Sequence, residues 1–218
     1  MADVQIGGRT VDYDRATRWI DVYFDAKANR VARKPYAYPA YDGLITGSGP
    51  EELNDGDLFA PTALNAAPTI AALYSLQSVR DDLEAGLGQV PTDLTLEAAV
   101  ADGTLENRLG NLVSVRDRDG GLRGVRLTTL LKVLHRKRPL FIPLYDQFVK
   151  MCYVGPKPAF PIPSRSRSTT AAYAIRLAQL MCRDMESPTF ARVAGAAPTD
   201  VSPLRVLDVL AWRLSRED

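Results

Sequence analysis

The chain has 218 residues, 46% of them hydrophobic, enough to bury a substantial core, and a single domain over 1–218 is expected. Lys and Arg total 27 against 26 Asp and Glu, a formal net charge of +1 that removes the bulk attraction behind most nucleic-acid binding and leaves local patches to supply it. One histidine, His135, and two cysteines, Cys152 and Cys182, without ligand spacing argue against a metal site or a disulfide scaffold, and no apolar run reaches the roughly 18 to 20 residues of a membrane span. The start, Met1-Ala2-Asp3-Val4-Gln5, carries no basic region followed by an apolar stretch, so a cytoplasmic protein with free buried thiols, no metal, no cofactor and no membrane contact is expected.

Ala16, Trp19, Ile20, Tyr23 and Phe24 recur at helical spacing, which predicts a one-faced helix over 14–27 capped by Asp12 or Asp14. Residues 33–43 then hold two prolines and three tyrosines, and the Thr46-Gly47-Ser48-Gly49-Pro50 run follows, so a loop is expected over about 33–54. Asp55 or Asp57 caps the next predicted helix, through Leu58, Phe59, Leu64 and Ala67, with Pro61 in its first turn and Pro68 as its break. Helical spacing resumes at Ile70, Leu73, Tyr74 and Leu76, again at Val79, Leu83 and Leu87, and over 96–113. Residues 117–121 read as a polar turn.

Leu127, Leu130, Leu131 and Leu134, then Phe148, Met151 and Cys152, predict two more helices. Pro156, Pro158, Pro161 and Pro163 make the connector over 155–167 extended, with a short basic stretch at Arg165 and Arg167. Ala171, Ile175, Leu177, Leu180 and Met181 imply a long helix capped by Ser168 or Thr169. Ser202 at the N-cap and Pro203 after it open the last helix. With no run of alternating strands, the expected fold class is all-α, one globular helical domain.

Residues 124–149 join a turn, an amphipathic helix, a basic knot and an aspartate just after a proline. Gly124-Val125-Arg126, and Ile142-Pro143-Leu144-Tyr145-Asp146-Gln147-Phe148-Val149 with one extra residue before Asp146, resemble the helix-hairpin-helix region of base-excision DNA glycosylases. In that superfamily a glycine-rich hairpin presents backbone N–H groups to a DNA phosphate, and a proline-hydrophobic-Asp segment presents the catalytic aspartate at the next helix start. Arg126 replaces the second hairpin glycine, where a side chain restricts the left-handed conformation and the close backbone approach. Leu127 and Thr128 stand where strand-cleaving members carry lysine, and Lys132 lies a turn further, so the resemblance implies no Schiff base; no cysteine cluster follows, so none of the iron–sulfur version either. Most of the chain also resembles an uncharacterised actinobacterial family with a Lys-Arg-Pro-x-x-Ile-Pro-x-Tyr-Asp signature, matched over 137–146, and with a similar closing segment over 201–210.

The candidate catalytic residues are Asp146 and Tyr145, weighed against a plain N-cap role for Asp146. Arg126, Arg136, Lys137 and Arg138 are candidate substrate contacts, although cations at a helix end also compensate its dipole. Tyr36, Tyr38 and Tyr41 have a composition suited to covering a pocket, or to packing on helices. The resemblance implies a small-molecule enzyme on a repurposed glycosylase-like fold, its carboxylate serving displacement, elimination or ring closure on a polar anionic metabolite, with antibiotic biosynthesis as one setting. A DNA-binding or base-excision-repair-like protein is the second reading, less favoured by the charge and by Arg126, and a noncatalytic subunit docking a protein partner through apolar helices is the third.

Overall fold

The computed structural model describes residues 3–117, 122–156, 158–164 and 168–216; all but Asp117 of the turn expected over 117–121, and the basic Arg165 and Arg167, lie outside the described residues. Strands β1 (Val4–Ile6) and β2 (Arg9–Val11) form an antiparallel hairpin that the sequence reading did not foresee, since three-residue strands give too few alternations. Its turn needs Gly7, whose φ is +60° and where an added Cβ would meet the Cys152 carbonyl oxygen at 2.2 Å.

Helix α1 (Tyr13–Tyr23) buries Ala16, Trp19, Ile20 and Tyr23, as their spacing requires, and Asp12 caps it by accepting from Arg15 N at 2.9 Å. The helix expected over 14–27 divides because Asp25 accepts from Ala28 N and starts α2 (Ala26–Val31). Buried Asn29 then organises the tyrosine loop, donating to the carbonyls of Tyr23 and Tyr38, both at 2.8 Å. Helix α3 (Asp55–Phe59) is capped by Asn54 rather than by either aspartate, through a capping box with Asp57, and passes into a 3-10 turn over Ala60–Leu64. Leu64 and Ala67 therefore fall outside that helix.

Beyond the break at Pro68 come α4 (Ile70–Ser78) and α5 (Arg80–Gly88). The helix expected over 96–113 is split into α6 (Leu96–Ala101) and α7 (Leu105–Ser114) by Gly103, whose φ is +72°. Helix α8 (Leu127–His135) and helix α9 (Gln147–Tyr153) flank the signature segment. The proline-rich connector is not simply extended: β3 (Val154–Gly155) and β4 (Ile162–Pro163) pair in parallel as it doubles back. Thr169 caps α10 (Thr170–Met185), and Asp117 accepts from two of its first amides, Thr170 N and Ala171 N, both at 3.0 Å. Helices α11 (Pro188–Ala194) and α12 (Pro203–Leu214) complete the chain, α12 opening at Ser202 and Pro203 as expected.

The fold is mostly helical, and one core cluster runs from Val4 to Leu214, so it forms a single compact domain. Helix α12 sits at its centre, packed on α1, α9, α10 and α11, while α7 lies along α10. Being surrounded, α12 buries two charged residues, Arg205 and Asp208, among its apolar ones. Among the described residues no helix is long and apolar enough to cross a membrane.

Candidate active site

Phe141, Ile142 and Leu144 are fully buried, each worth about 1.5–3 kcal/mol of hydrophobic burial, and they hold the irregular run that leads to Asp146. Packed His135 steadies the same run by donating from Nδ1 to the Ile142 carbonyl at 2.6 Å, and burial depresses its pKa to about 4. Asp146 is the N-cap of α9: its Oδ1 accepts from Phe148 N at 2.8 Å and from Val149 N at 3.1 Å. Capping occupies one oxygen only. The other, Oδ2, faces Lys132 Nζ on α8 at 3.5 Å, and that ammonium also donates to the Leu64 carbonyl at 3.3 Å. The Lys132 side chain is 4% exposed against 19% for Asp146, so the pair is reached from the aspartate side.

Asp208 lies in the same neighbourhood. Its Oδ2 accepts from Arg205 Nη1 at 2.5 Å, one turn back on α12, while the other donors of that buried guanidinium reach Asp42 Oδ1 at 3.0 Å and the Tyr23 hydroxyl at 2.8 Å. These partners offset the desolvation of an arginine buried at the centre of the fold. Burial pushes the Asp208 carboxyl up to about 6, against the pull of Arg205, with the charge of Asp146 raising it further and Lys132 lowering it. Asp208 is thus raised above the usual carboxylate range within the electrostatic reach of Asp146.

All four residues line a cleft of about 1500 Å³ between the tyrosine loop, the start of α8, the start of α9 and α12. Lys132 and Arg205 form its buried floor, and Lys34, Arg116, Arg126, Arg213 and Arg216 stand around its more exposed walls, against two carboxylates, Asp146 and Asp208. A chain of net charge +1 therefore concentrates its cations here. Gly124, with φ +75°, and the first turn of α8, which has no side-chain cap, lie along the same lining.

Of the residues singled out in the sequence, Asp146, Arg126 and Tyr36 line this cleft. The basic knot does not. Arg136 donates to the carbonyls of Tyr41 and Leu44; Lys137 binds Ser48 Oγ at 2.7 Å and Asp57 Oδ2 at 3.1 Å; Arg138 reaches the carbonyls of Leu87 and Pro50, both at 2.7 Å, and that of Val90. These three cations fasten loops and the end of α5 and do not line the cleft in which they were expected to contact substrate. Tyr41 is buried and donates to the Lys132 carbonyl at 2.7 Å, and Tyr38 packs on Phe24. The Tyr145 hydroxyl accepts from Tyr173 at 3.1 Å and lines a second cavity of about 340 Å³, which shares Arg116 with the Asp146 cleft. Asp57 completes the capping box of Asn54 and binds Lys137, and Cys152 and Cys182 are free and buried.

Lys132, Arg205, Asp208, Arg213 and Arg216 were not singled out beforehand. The available signal was a lysine inside the apolar run of α8 and an Arg-Asp pair three apart inside apolar α12, charges that a helix buries only with partners. Among the described residues no group of three or more His, Cys, Asp or Glu is placed to hold a metal ion.

The sequence model of a family described as "Family of unknown function (DUF6308)" matches residues 16–215. No curated protein and no solved structure matches the chain.

Proposed function

We propose that this chain, which belongs to the DUF6308 family, is an enzyme acting on a polar, anionic small molecule bound in the cleft over Asp146. The observation that carries this reading is the Asp146 carboxylate itself: one oxygen is fixed by two backbone amides, and the other is aimed along the cleft floor at Lys132. A carboxylate so fixed needs little reorganisation to take a proton or to steady a cation developing on a reacting carbon. Arg126 and the other wall cations would neutralise a departing anionic group, and Asp208, raised above the usual carboxylate range, would hold or return a proton. Displacement, elimination and ring closure of the kind used in natural-product biosynthesis all draw on such a carboxylate and on cations beside the departing group. The succession of a left-handed Gly124, helix α8, and an aspartate at the next helix start supports the likeness to helix-hairpin-helix glycosylases at this point of the chain.

The test is to incubate purified protein with a bacterial metabolite extract and follow its components by mass spectrometry, beside Asp146→Asn. An anionic metabolite should be consumed by the native chain and spared by the variant. Equal consumption by a folded Asp146→Asn protein would remove the carboxylate from the chemistry.

The breadth of the cleft favours one second reading, a protein that takes nucleic acid along Gly124, Arg126 and the wall cations, since about 1500 Å³ exceeds the roughly 300–1,000 Å³ of ordinary ligand pockets. Under that reading an oligonucleotide binds with a steep fall in affinity as salt rises, and Arg126→Ala flattens the slope.

A further inference from the structure

We infer that the ligand of this cleft is a free nucleotide, a phosphate ester carrying a flat heteroaromatic ring. The inference rests on the small-molecule reading above and names its substrate class. One wall alternates rings with guanidinium groups. Arg213 Cζ lies 5.5 Å from the ring centre of Tyr36 and 5.4 Å from that of Trp212, and Arg216 Cζ lies 4.7 Å from Trp212 and 5.5 Å from Phe148. All five side chains line the cleft. Trp212 lies in the last turn of α12 and Arg216 in the turn just beyond its Ser215 cap, folded back by the bond from Arg216 N to the Arg213 carbonyl, while Phe148 comes from the first turn of α9 and Tyr36 from the loop opposite.

Contact with a ring holds a guanidinium in place and leaves N–H groups to spare, although Arg213 Nη2 already donates to the Tyr36 hydroxyl at 3.2 Å. Arg213 Nε is buried and meets no acceptor among the described residues, and neither does Arg116 Nε, which belongs to another part of the lining. An oxyanion entering the cleft would be met by the guanidinium N–H groups that face it, those of exposed Arg216 among them. Bare phosphate would satisfy the cations and ignore the rings; an uncharged nucleoside would do the reverse. A nucleotide does both, its base continuing the stack of rings and guanidinium planes and its phosphate meeting the free donors. A free nucleotide fits better than a strand, because a chain of net charge +1 lacks the extended positive field that holds a polyanion.

The test titrates the purified full chain with 5′-AMP and the monophosphates of the other bases, followed by tryptophan emission and by calorimetry. Trp212 is one of two tryptophans, and the other, Trp19, is buried. A mononucleotide should quench emission saturably, with inorganic phosphate, ribose 5-phosphate and adenosine each about tenfold weaker or more. Arg216→Ala, at an exposed position, should weaken the nucleotide by about tenfold without shifting the melting temperature, and Trp212→Phe, read by calorimetry, should weaken it less. Phosphate binding as tightly as AMP, a short single-stranded oligonucleotide binding more tightly than any mononucleotide, or no heat with any nucleotide would each overturn the inference. Asp146→Asn separates the two readings. Nucleotide binding retained by a variant that still turns substrate over sinks the role of the carboxylate alone, whereas Asp146-dependent turnover of some other anion without nucleotide binding sinks the ligand class alone.

Discussion

Lys132 Nζ stands 3.5 Å from Asp146 Oδ2, so a buried cation from the middle of α8 meets the carboxylate that opens α9. The two residues are separated by the whole basic knot, and it is the knot's attachment to the loops, together with the burial of Phe141, Ile142 and Leu144, that turns the chain back to bring them together.

Capping and chemistry at Asp146 are separable, because they use different oxygens. Asn keeps an acceptor for Phe148 N and Val149 N and is as good a cap as Asp, whereas Ala removes it, at a cost of about 1 kcal/mol. Urea denaturation should therefore show Asp146→Asn near native stability and Asp146→Ala clearly below it, with both equally inactive. Comparable destabilisation by the two would mean that the charge facing Lys132, and not the cap, holds this corner.

Asp208 gives the protein a pH dependence of unusual sign for a carboxylate. Its folded pKa is raised from 3.8 to about 6, so between those values the folded chain holds a proton that the unfolded chain releases, and this contribution to stability falls as pH rises through the window. Two units correspond to an upper bound of about 3 kcal/mol, reduced by whatever relaxation Arg205 and Asp42 allow. Denaturation midpoints of Asp208→Asn and native protein, compared from pH 4 to about 7, should differ by a slope of this sign. Parallel curves would show that Asp208 is ionised throughout.

His135 acts in the opposite direction over nearly the same window. Burial lowers its pKa from 6.5 to about 4, so the neutral ring stabilises the fold above the unfolded value, and that support is lost as pH falls toward the folded one. Since the chain has one histidine, its ring protons give a single set of resonances whose titration midpoint should lie near 4. A midpoint close to 6.5 would place the ring in contact with water and detach it from Ile142.

What the sequence made legible follows from where each signal is written. Helices α1, α8 and α12 were readable because their apolar residues recur at the helical period, and α1 and α12 also because their starts carry Asp12 and Ser202 with Pro203. Asp146 was readable because a proline-led helix start advertises its cap. The β1–β2 hairpin was not, since three-residue strands are too short to show a period, and the division at Gly103 was hidden by apolar spacing on both sides of it. The site as a whole was largely illegible for a different reason. Whether a cation faces a ligand or a carbonyl depends on partners far away in sequence, as Arg138 and Leu87 show, while Lys132 and Asp208 looked like interruptions in apolar helices until the fold supplied their neighbours.

Arg138 and Arg126 belong to one basic segment in sequence but should respond to mutation in opposite ways. Arg138 is 1% exposed and its guanidinium serves the carbonyls of Leu87, Val90 and Pro50, which no other side chain is shown to reach. Arg138→Met would keep much of the stem and leave the Val90 and Pro50 carbonyls without that donor, while Leu87 O keeps the Val90 amide at 3.0 Å, at about 1–3 kcal/mol for each acceptor that water does not recover, so the melting temperature should drop by several degrees. Arg126 is exposed at the start of α8 and makes no capping bond, so Arg126→Ala should melt within about 0.5 kcal/mol of the native chain while binding its anionic ligand several-fold more weakly. Calorimetric melting and ligand titration of both variants check the pair together. A stable Arg138→Met protein with weakened ligand binding would return the basic knot to the ligand and displace the cleft over Asp146 as the site.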